Sequence, residues 1–295
     1  MENQRLGYLE QLSKAAPAIL YHYTSLEAFH KIVSTGTLWA TDIRFMNDST
    51  EFRLAFSTLK SRIRDLRAEA SEERSTKLDR LNVALESVES VGAFVSCFST
   101  KRDDLSQWRG YTPLGRGVCI GFTTAAIREA FDTTRPMSIA RQRMATEGVS
   151  LLGEVMYLSS DPQSIFDDLI EFFCGQQEQS GSPFDWLKFA ARTFLIAAPF
   201  YKNAHFAEEC EWRLVGGRNP STEKVANLNF RQGASTLIPY SEINLKERIP
   251  RFISEVIIGP SPNIALTLAS AKMLLDHHEL ADVEVIKSAI PFRNW

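Results

Sequence analysis

Residues 93–122 read AFVSCFSTKRDDLSQWRGYTPLGRGVCIGF. Two apolar runs, Ala93 to Phe98 and Gly117 to Phe122, bracket this stretch. Both are short, with valine, isoleucine and phenylalanine among small residues, and polar turn formers separate them. That pattern predicts two buried strands. Leu105 to Tyr111 (LSQWRGY) between them reads as a short helix or loop. Cys97 and Cys119 lie inside the strand runs, where a free cysteine usually serves as a small core hydrophobe.

Strand and helix signals alternate outward from this centre. Ile19 to Tyr23 (ILYHY) predicts a strand, and Thr24-x-x-Glu27 has the form of a capping box. Leu26, Phe29, Ile32 and Val33 then fit the helical period, with Gly36 as its end. Thr37 to Thr41 (TLWAT) predicts a second strand, and Asp48-x-x-Glu51 a second helix start. Residues 53–90 are helical in pattern and highly charged, the expected look of a solvated helical pair inserted into the fold. Glu154 to Leu158 and Glu211 to Val215 predict strands, and Gln163 to Phe173 and Phe184 to Ala198 amphipathic helices. The C-terminal part reads as strand (Glu255 to Ile258), turn (Gly259-Pro260-Ser261-Pro262, with Ser261 as N-cap), helix (Ile264 to Leu275) and strand (Asp282 to Ile286). Such a unit suggests a parallel crossover. These elements predict one mixed α+β domain over residues 1–295, with 53–90 as a charged helical insertion.

Composition bounds the rest. The 295 residues are 44% hydrophobic and 23% charged, as in ordinary globular proteins. With 33 Lys+Arg against 36 Asp+Glu the net charge is −3, so the basic excess of a nonspecific nucleic-acid binder is missing. Cys97, Cys119, Cys174 and Cys210 are scattered, which points to a reducing cytoplasm and not to a disulfide framework. MENQRLGYLEQL at the start has no apolar h-region, and no apolar run approaches a membrane span, so neither secretion nor a membrane partner is expected. His22, His30, His205, His277 and His278 form no ligand spacing, so no metal is expected. Phosphate cradles of the G-x-x-x-x-G-K-[ST] or G-x-G-x-x-G type are lacking.

Polar residues gather instead at predicted strand ends: His22-Tyr23-Thr24-Ser25, Asn47-Asp48-x-x-Glu51, Trp108 and Tyr111, and Glu209-x-Glu211-Trp212-Arg213. Each has a structural alternative. A histidine can satisfy a backbone carbonyl, Asn-Asp can cap a helix, and Glu211 and Arg213, two apart on one strand face, can form a salt bridge.

Taken in order, HYTS (22–25), TLWAT (37–41), FMNDSTEF (45–52), CFS (97–99), LSQWRGY (105–111), GVCIGF (117–122), EECEWRLV (208–215) and SAIPFR (288–293) resemble a bacterial family, domain of unknown function 2971. The likeness runs from about residue 19 to 293. That family in turn resembles the ADP-ribosyltransferase fold, which implies a split β-sheet core and NAD as substrate. By this resemblance His22 matches an early histidine, Glu211 with Glu209 before it matches an E-x-E glutamate pair, and Trp39, Trp108 or Tyr111 matches a middle aromatic.

The chemistry suits these residue types. Cleavage of the nicotinamide–ribose bond develops oxocarbenium-like charge, which a carboxylate stabilises. A histidine, helped by neighbours such as Tyr23, Thr24 and Asn47, can hold ribose hydroxyls. An aromatic face can stack on nicotinamide, and Arg44 or Arg213 can pair with the diphosphate. The expectation is an NAD-using enzyme that transfers ADP-ribose to an unknown macromolecular acceptor or hydrolyses NAD, a chemistry suited to a toxin or anti-phage effector. Two alternatives stay open. One is a non-catalytic nucleotide- or protein-binding module recognising through Trp39, Trp108 and Trp212. The other is a metal-dependent nuclease on Asp42, Asp48 and Glu51. Arg293 has no assigned role.

Overall fold

In the computed structural model the described residues are 14–46, 49–89, 91–113, 115–131, 150–158, 163–175, 186–217, 228–245 and 252–291. The run AFVSCF becomes the central strand. In chain order, β1 (Ile19–Ser25), α1 (Leu26–Thr35) and β2 (Thr37–Asp42) precede the helices α2 (Ser49–Ala68) and α3 (Glu72–Glu89). Next come β3 (Ala93–Ser99), α4 (Leu105–Tyr111), β4 (Gly117–Thr123) and α5 (Thr124–Phe131). After β5 (Ser150–Glu154) and β6 (Met156–Leu158) lie α6 (Gln163–Gly175), α7 (Trp186–Ala197), β7 (Tyr201–Asn203) and β8 (Glu211–Gly217). The chain closes with β9 (Leu228–Gln232), β10 (Leu237–Asn244), β11 (Ile253–Ile258), α8 (Ile264–His277) and β12 (Glu284–Lys287).

The main sheet runs β12-β11-β4-β1-β3-β2-β10-β9, with β8 also on β3 and β5 on β8. Its pairs are antiparallel except β11 with β12, which are parallel around α8 as a strand–helix–strand unit requires. β8 covers β3 from Ala93 to Ser99. The other edge of β3 is shared: β1 reaches it only at Ser99, through Tyr21, and β2 only at Phe94 and Val95, through Asp42 and Thr41. Between those points the sheet is split. Side chains replace the missing ladder bonds: His22 Nδ1 meets the Cys97 carbonyl at 2.9 Å, and the Ser96 hydroxyl donates to the Trp39 carbonyl at 2.8 Å.

Residues paired across antiparallel strands share a face. On one face Phe94, Phe98, Phe122, Trp212 and Leu214 bury against α1 and α8. On the other, Val95 and Val215 bury against α2, α3, α6 and α7, while α4 seats Trp108 on Tyr23, Cys119 and Ile257. The charged stretch 53–90 is therefore no solvated pair. In α2, Phe52, Ala55, Phe56, Leu59 and Ile63 recur at helical spacing and are buried, as are Leu78, Leu81, Leu85 and Val88 of α3. The charges occupy the outer faces, where Arg67 and Asp79 pair between the two helices. A high charge density hid a regular apolar stripe.

Two predicted caps sit elsewhere. Ser25, not Thr24, caps α1 by accepting from the Ala28 N–H, and Glu27 instead pairs with Lys31. Gly36 ends that helix in the left-handed conformation, as expected. Asn263, not Ser261, precedes α8, and the Ser261 hydroxyl accepts from the Asn263 N–H.

The SAIPFR segment is tied down by Asp103. Its carboxylate accepts from Trp108 Nε1 at 2.7 Å, from the Ser288 hydroxyl at 2.7 Å and from the Ala289 N–H at 2.8 Å. Asp103→Ala leaves the buried Trp108 N–H without this acceptor, so a loss of about 1–3 kcal/mol is expected in urea unfolding. An unchanged midpoint would show that the tail contact is incidental. Arg293 lies outside the described residues.

Candidate functional site

A cavity of about 600 Å³ lies over the split, within the usual size of small-molecule sites. Its floor is the sheet face carrying Thr41, Val95, Cys97, Ser99, Glu211 and Arg213. Gln107 and Tyr111 of α4 wall one side, and Lys202 of β7 with Phe206 and Glu209 wall another. Phe45, Tyr111 and Phe206 are each exposed by more than a third, so the mouth is aromatic.

The polar centre is a four-charge cluster. Arg213 grips Glu211 with two parallel bonds, Nε to Oε1 at 2.7 Å and Nη2 to Oε2 at 2.9 Å. Lys202 Nζ bridges the two acids, 2.6 Å from Glu209 Oε2 and 3.1 Å from Glu211 Oε2. The Tyr111 hydroxyl donates to Glu209 Oε1 at 2.6 Å. Arg213 also donates to the Pro199 carbonyl, and the Glu211 N–H donates to the Tyr157 hydroxyl. The acids converge because Glu209 ends a 3-10 turn and Cys210 takes a left-handed φ of 46° before β8 begins. Plain strand alternation does not produce this approach.

Burial alone would raise the Glu211 pKa, yet the adjacent Arg213 charge and its hydrogen bonds, with Lys202, hold it at about 2. Glu211 is thus an anion at neutral pH. Burial, then the Glu209 bond, pushes Tyr111 up, so it stays a phenol donor. Burial and then the Glu211 charge push Cys97 well up, keeping it a thiol. Burial lowers the His22 pKa against the opposing effect of its bond to Cys97. A neutral His22 bound to a carbonyl through Nδ1 carries its proton there and presents Nε2 as an acceptor.

The expected residues divide clearly. His22, Tyr23, Trp39, Tyr111, Glu209, Glu211 and Arg213 line the cavity. By alternation His22 points to the face opposite Glu211, against Phe98 and Phe122, and reaches the cavity through the split. One face of Trp39 is stacked on Tyr240, with ring centroids 4.2 Å apart. Trp108 and Trp212 are core residues outside the cavity lining. A Cβ added at Gly259 would press on the Trp108 ring at 2.8 Å, which shows how closely that indole is packed. Thr24 faces Val118 within the β1–β4 ladder and lies away from the lining. Arg44 is committed to buried Asp42, with Nη2 at 2.7 Å, and also lies away from it. Arg213, spent on Glu211 and Pro199, is placed to hold an acid and not a diphosphate. Asn47 and Asp48 lie outside the described residues. Among the described residues no group of three or more His, Cys, Asp or Glu side chains is placed to hold a metal ion. No described helix is long and apolar enough to cross a membrane.

Sequence reading missed Lys202, Gln107, Ser99 and Arg231. One signal was available for Lys202: it is the first charge after the apolar run TFLIAAPFY. The structure leaves it 5% exposed, and a lysine so buried requires a partner.

Residues 107–214 match the model of a family described as protein of unknown function (DUF2971). The match is shorter than the motif series from 19 to 293. It spans Gln107, Tyr111, Lys202, Glu209, Glu211 and Arg213, the acid cluster and its wall, but neither His22 nor Trp39. The chain matches no curated protein and no solved structure.

Proposed function

We propose that the cavity binds NAD and cleaves its nicotinamide–ribose bond. The observation that carries this reading is the pair of carboxylates, Glu209 and Glu211, fixed at one lysine in a cavity lined by His22 and rimmed by aromatic rings. In the reaction, the C1′–N bond breaks and nicotinamide leaves with the bonding electrons. The oxocarbenium-like ribose is then captured by water or by an acceptor nucleophile, which gives up its proton. A fixed anion near that ribose favours the charge that develops. His22 Nε2, as an acceptor, suits a ribose hydroxyl, and Tyr111 or Phe206 offers a ring face to nicotinamide.

A second reading has its own support. The ligation of Glu211 by Arg213 and Lys202 also suits a module that binds a nucleotide without turnover. Chromatography of NAD incubated with the purified protein separates the two. Release of nicotinamide that is lost in Glu209→Gln is expected, and added lysate that speeds release would identify a macromolecular acceptor. Stabilisation by NAD with no product would favour the binding module.

A further inference from the structure

The two carboxylates are not equivalent. Glu211 Oε1 accepts from Arg213 Nε, and Oε2 accepts from Arg213 Nη2 and Lys202 Nζ. A carboxylate offers about four acceptor positions, and charged donors take three of those of Glu211. Its side chain is 6% exposed, and that of Lys202 likewise 6%.

Glu209 differs on every count. Its side chain is 16% exposed, and it accepts from Lys202 on one oxygen and from Tyr111 on the other. Tyr111 is 41% exposed at the cavity mouth, so this bond sits where a ligand enters. The backbone of Glu209 is held, with its carbonyl accepting from the Ser99 hydroxyl at 2.7 Å. A fixed backbone, a carboxylate more exposed than that of Glu211 and one donor on an exposed residue make a site in which a ligand hydroxyl can replace a tyrosine hydroxyl.

We propose that Glu209, not Glu211, is the carboxylate that meets the ligand, accepting a ribose hydroxyl in the position held here by the Tyr111 hydroxyl. Glu211 is then a positioning residue, whose fixed charge holds Lys202 and through it Glu209. This assignment rests on the reading of the cavity as an NAD site and selects the sugar next to the scissile bond. An exchange of one hydrogen bond to the charged carboxylate for another costs little, whereas a neutral amide in its place offers the hydroxyl only the weaker, uncharged acceptor.

Calorimetric titration of the full chain with ADP-ribose and with ADP, which lacks the distal ribose, tests the assignment. The wild type is expected to bind both. Glu209→Gln is expected to weaken ADP-ribose about tenfold, a factor equal to about 1.4 kcal/mol, and to leave ADP unchanged. Tyr111→Phe keeps the ring and removes the competing donor, so ADP-ribose should bind as tightly or more tightly. Three results would overturn the assignment while leaving an NAD site standing: Glu209→Gln binding both ligands as the wild type does, Glu209→Gln weakening both equally, or Tyr111→Phe losing ADP-ribose tenfold. A wild type that binds neither ligand would overturn the NAD site itself, and this inference with it.

Discussion

Arg213→Ala is expected to lower the unfolding free energy by about 3–5 kcal/mol, the range for removing one partner of a buried ion pair. Arg213 is 1% exposed and Glu211 5%, so the substitution strands an ionised carboxylate in the sheet with Lys202 as its remaining cation. Arg213→Lys keeps the charge but not the two-pronged fit, and a smaller loss is expected. The pair also sets the acid limb. Glu211 titrates at about 2 when folded against an ordinary 4.5, so the folded state holds its proton more weakly than the unfolded chain. Its contribution is complete above pH 4.5 and disappears as pH falls through 2; by linkage it is on the order of 3 kcal/mol. In Arg213→Ala this limb should flatten, because the main cause of the lowered pKa is gone. Unfolding curves from pH 7 to pH 2 measure both effects. A variant within 1 kcal/mol of the wild type with the same acid limb would contradict the buried pair.

Phe56→Ala is expected to cost about 3–5 kcal/mol. Phe56 is fully buried in α2 and meets the Phe52 ring edge-on, with centroids 4.8 Å apart. It belongs to the cluster that also holds Phe166, Phe173, Phe194 and Val215. The cavity formed there would reach the layer that backs β3 and β8. Val83→Ala on α3, at a side chain 56% exposed, should change stability by no more than about 0.5 kcal/mol. Denaturant unfolding of the two variants decides whether 53–90 is a layer of the core. Similar small losses in both would mark the segment as an appendage.

Much of this architecture was legible from local pattern. AFVSCF and GVCIGF are short, almost wholly apolar and set off by polar turn formers, the clearest strand signals in the chain, and the C-terminal strand–helix–strand unit is short enough to pair β11 with β12 in parallel. The helical layer was misjudged because the arginines and glutamates of 53–90 outnumber its stripe of Ala55, Phe56, Leu59 and Ile63, and the spacing decides burial where the average does not. β9 and β10 were not anticipated at all. Phe230 and Arg231 of β9 are exposed, and the buried Pro239, Tyr240 and Ile243 of β10 do not alternate with exposed residues, so neither strand carries a period of two.

The site was legible by residue type and opaque in geometry. Glu209, Glu211, Tyr111 and His22 could be picked out as chemistry-bearing residues at strand ends. That Lys202 links the two acids depends on a contact between β7 and the start of β8. That Trp108 is buried depends on Asp103 and Gly259, partners distant in sequence or silent in pattern. His22 reaches the cavity only because β1 and β2 divide one edge of β3, which is a property of register.

The most direct test of the central claim is diffraction from crystals grown with NAD. The account predicts ligand density over the split of the sheet, with a ribose hydroxyl at Glu209, Tyr111 displaced, and Glu211 still gripped by Arg213. A ligand bound on the α1–α8 face, or in the cavity with its ribose away from both glutamates, would contradict it.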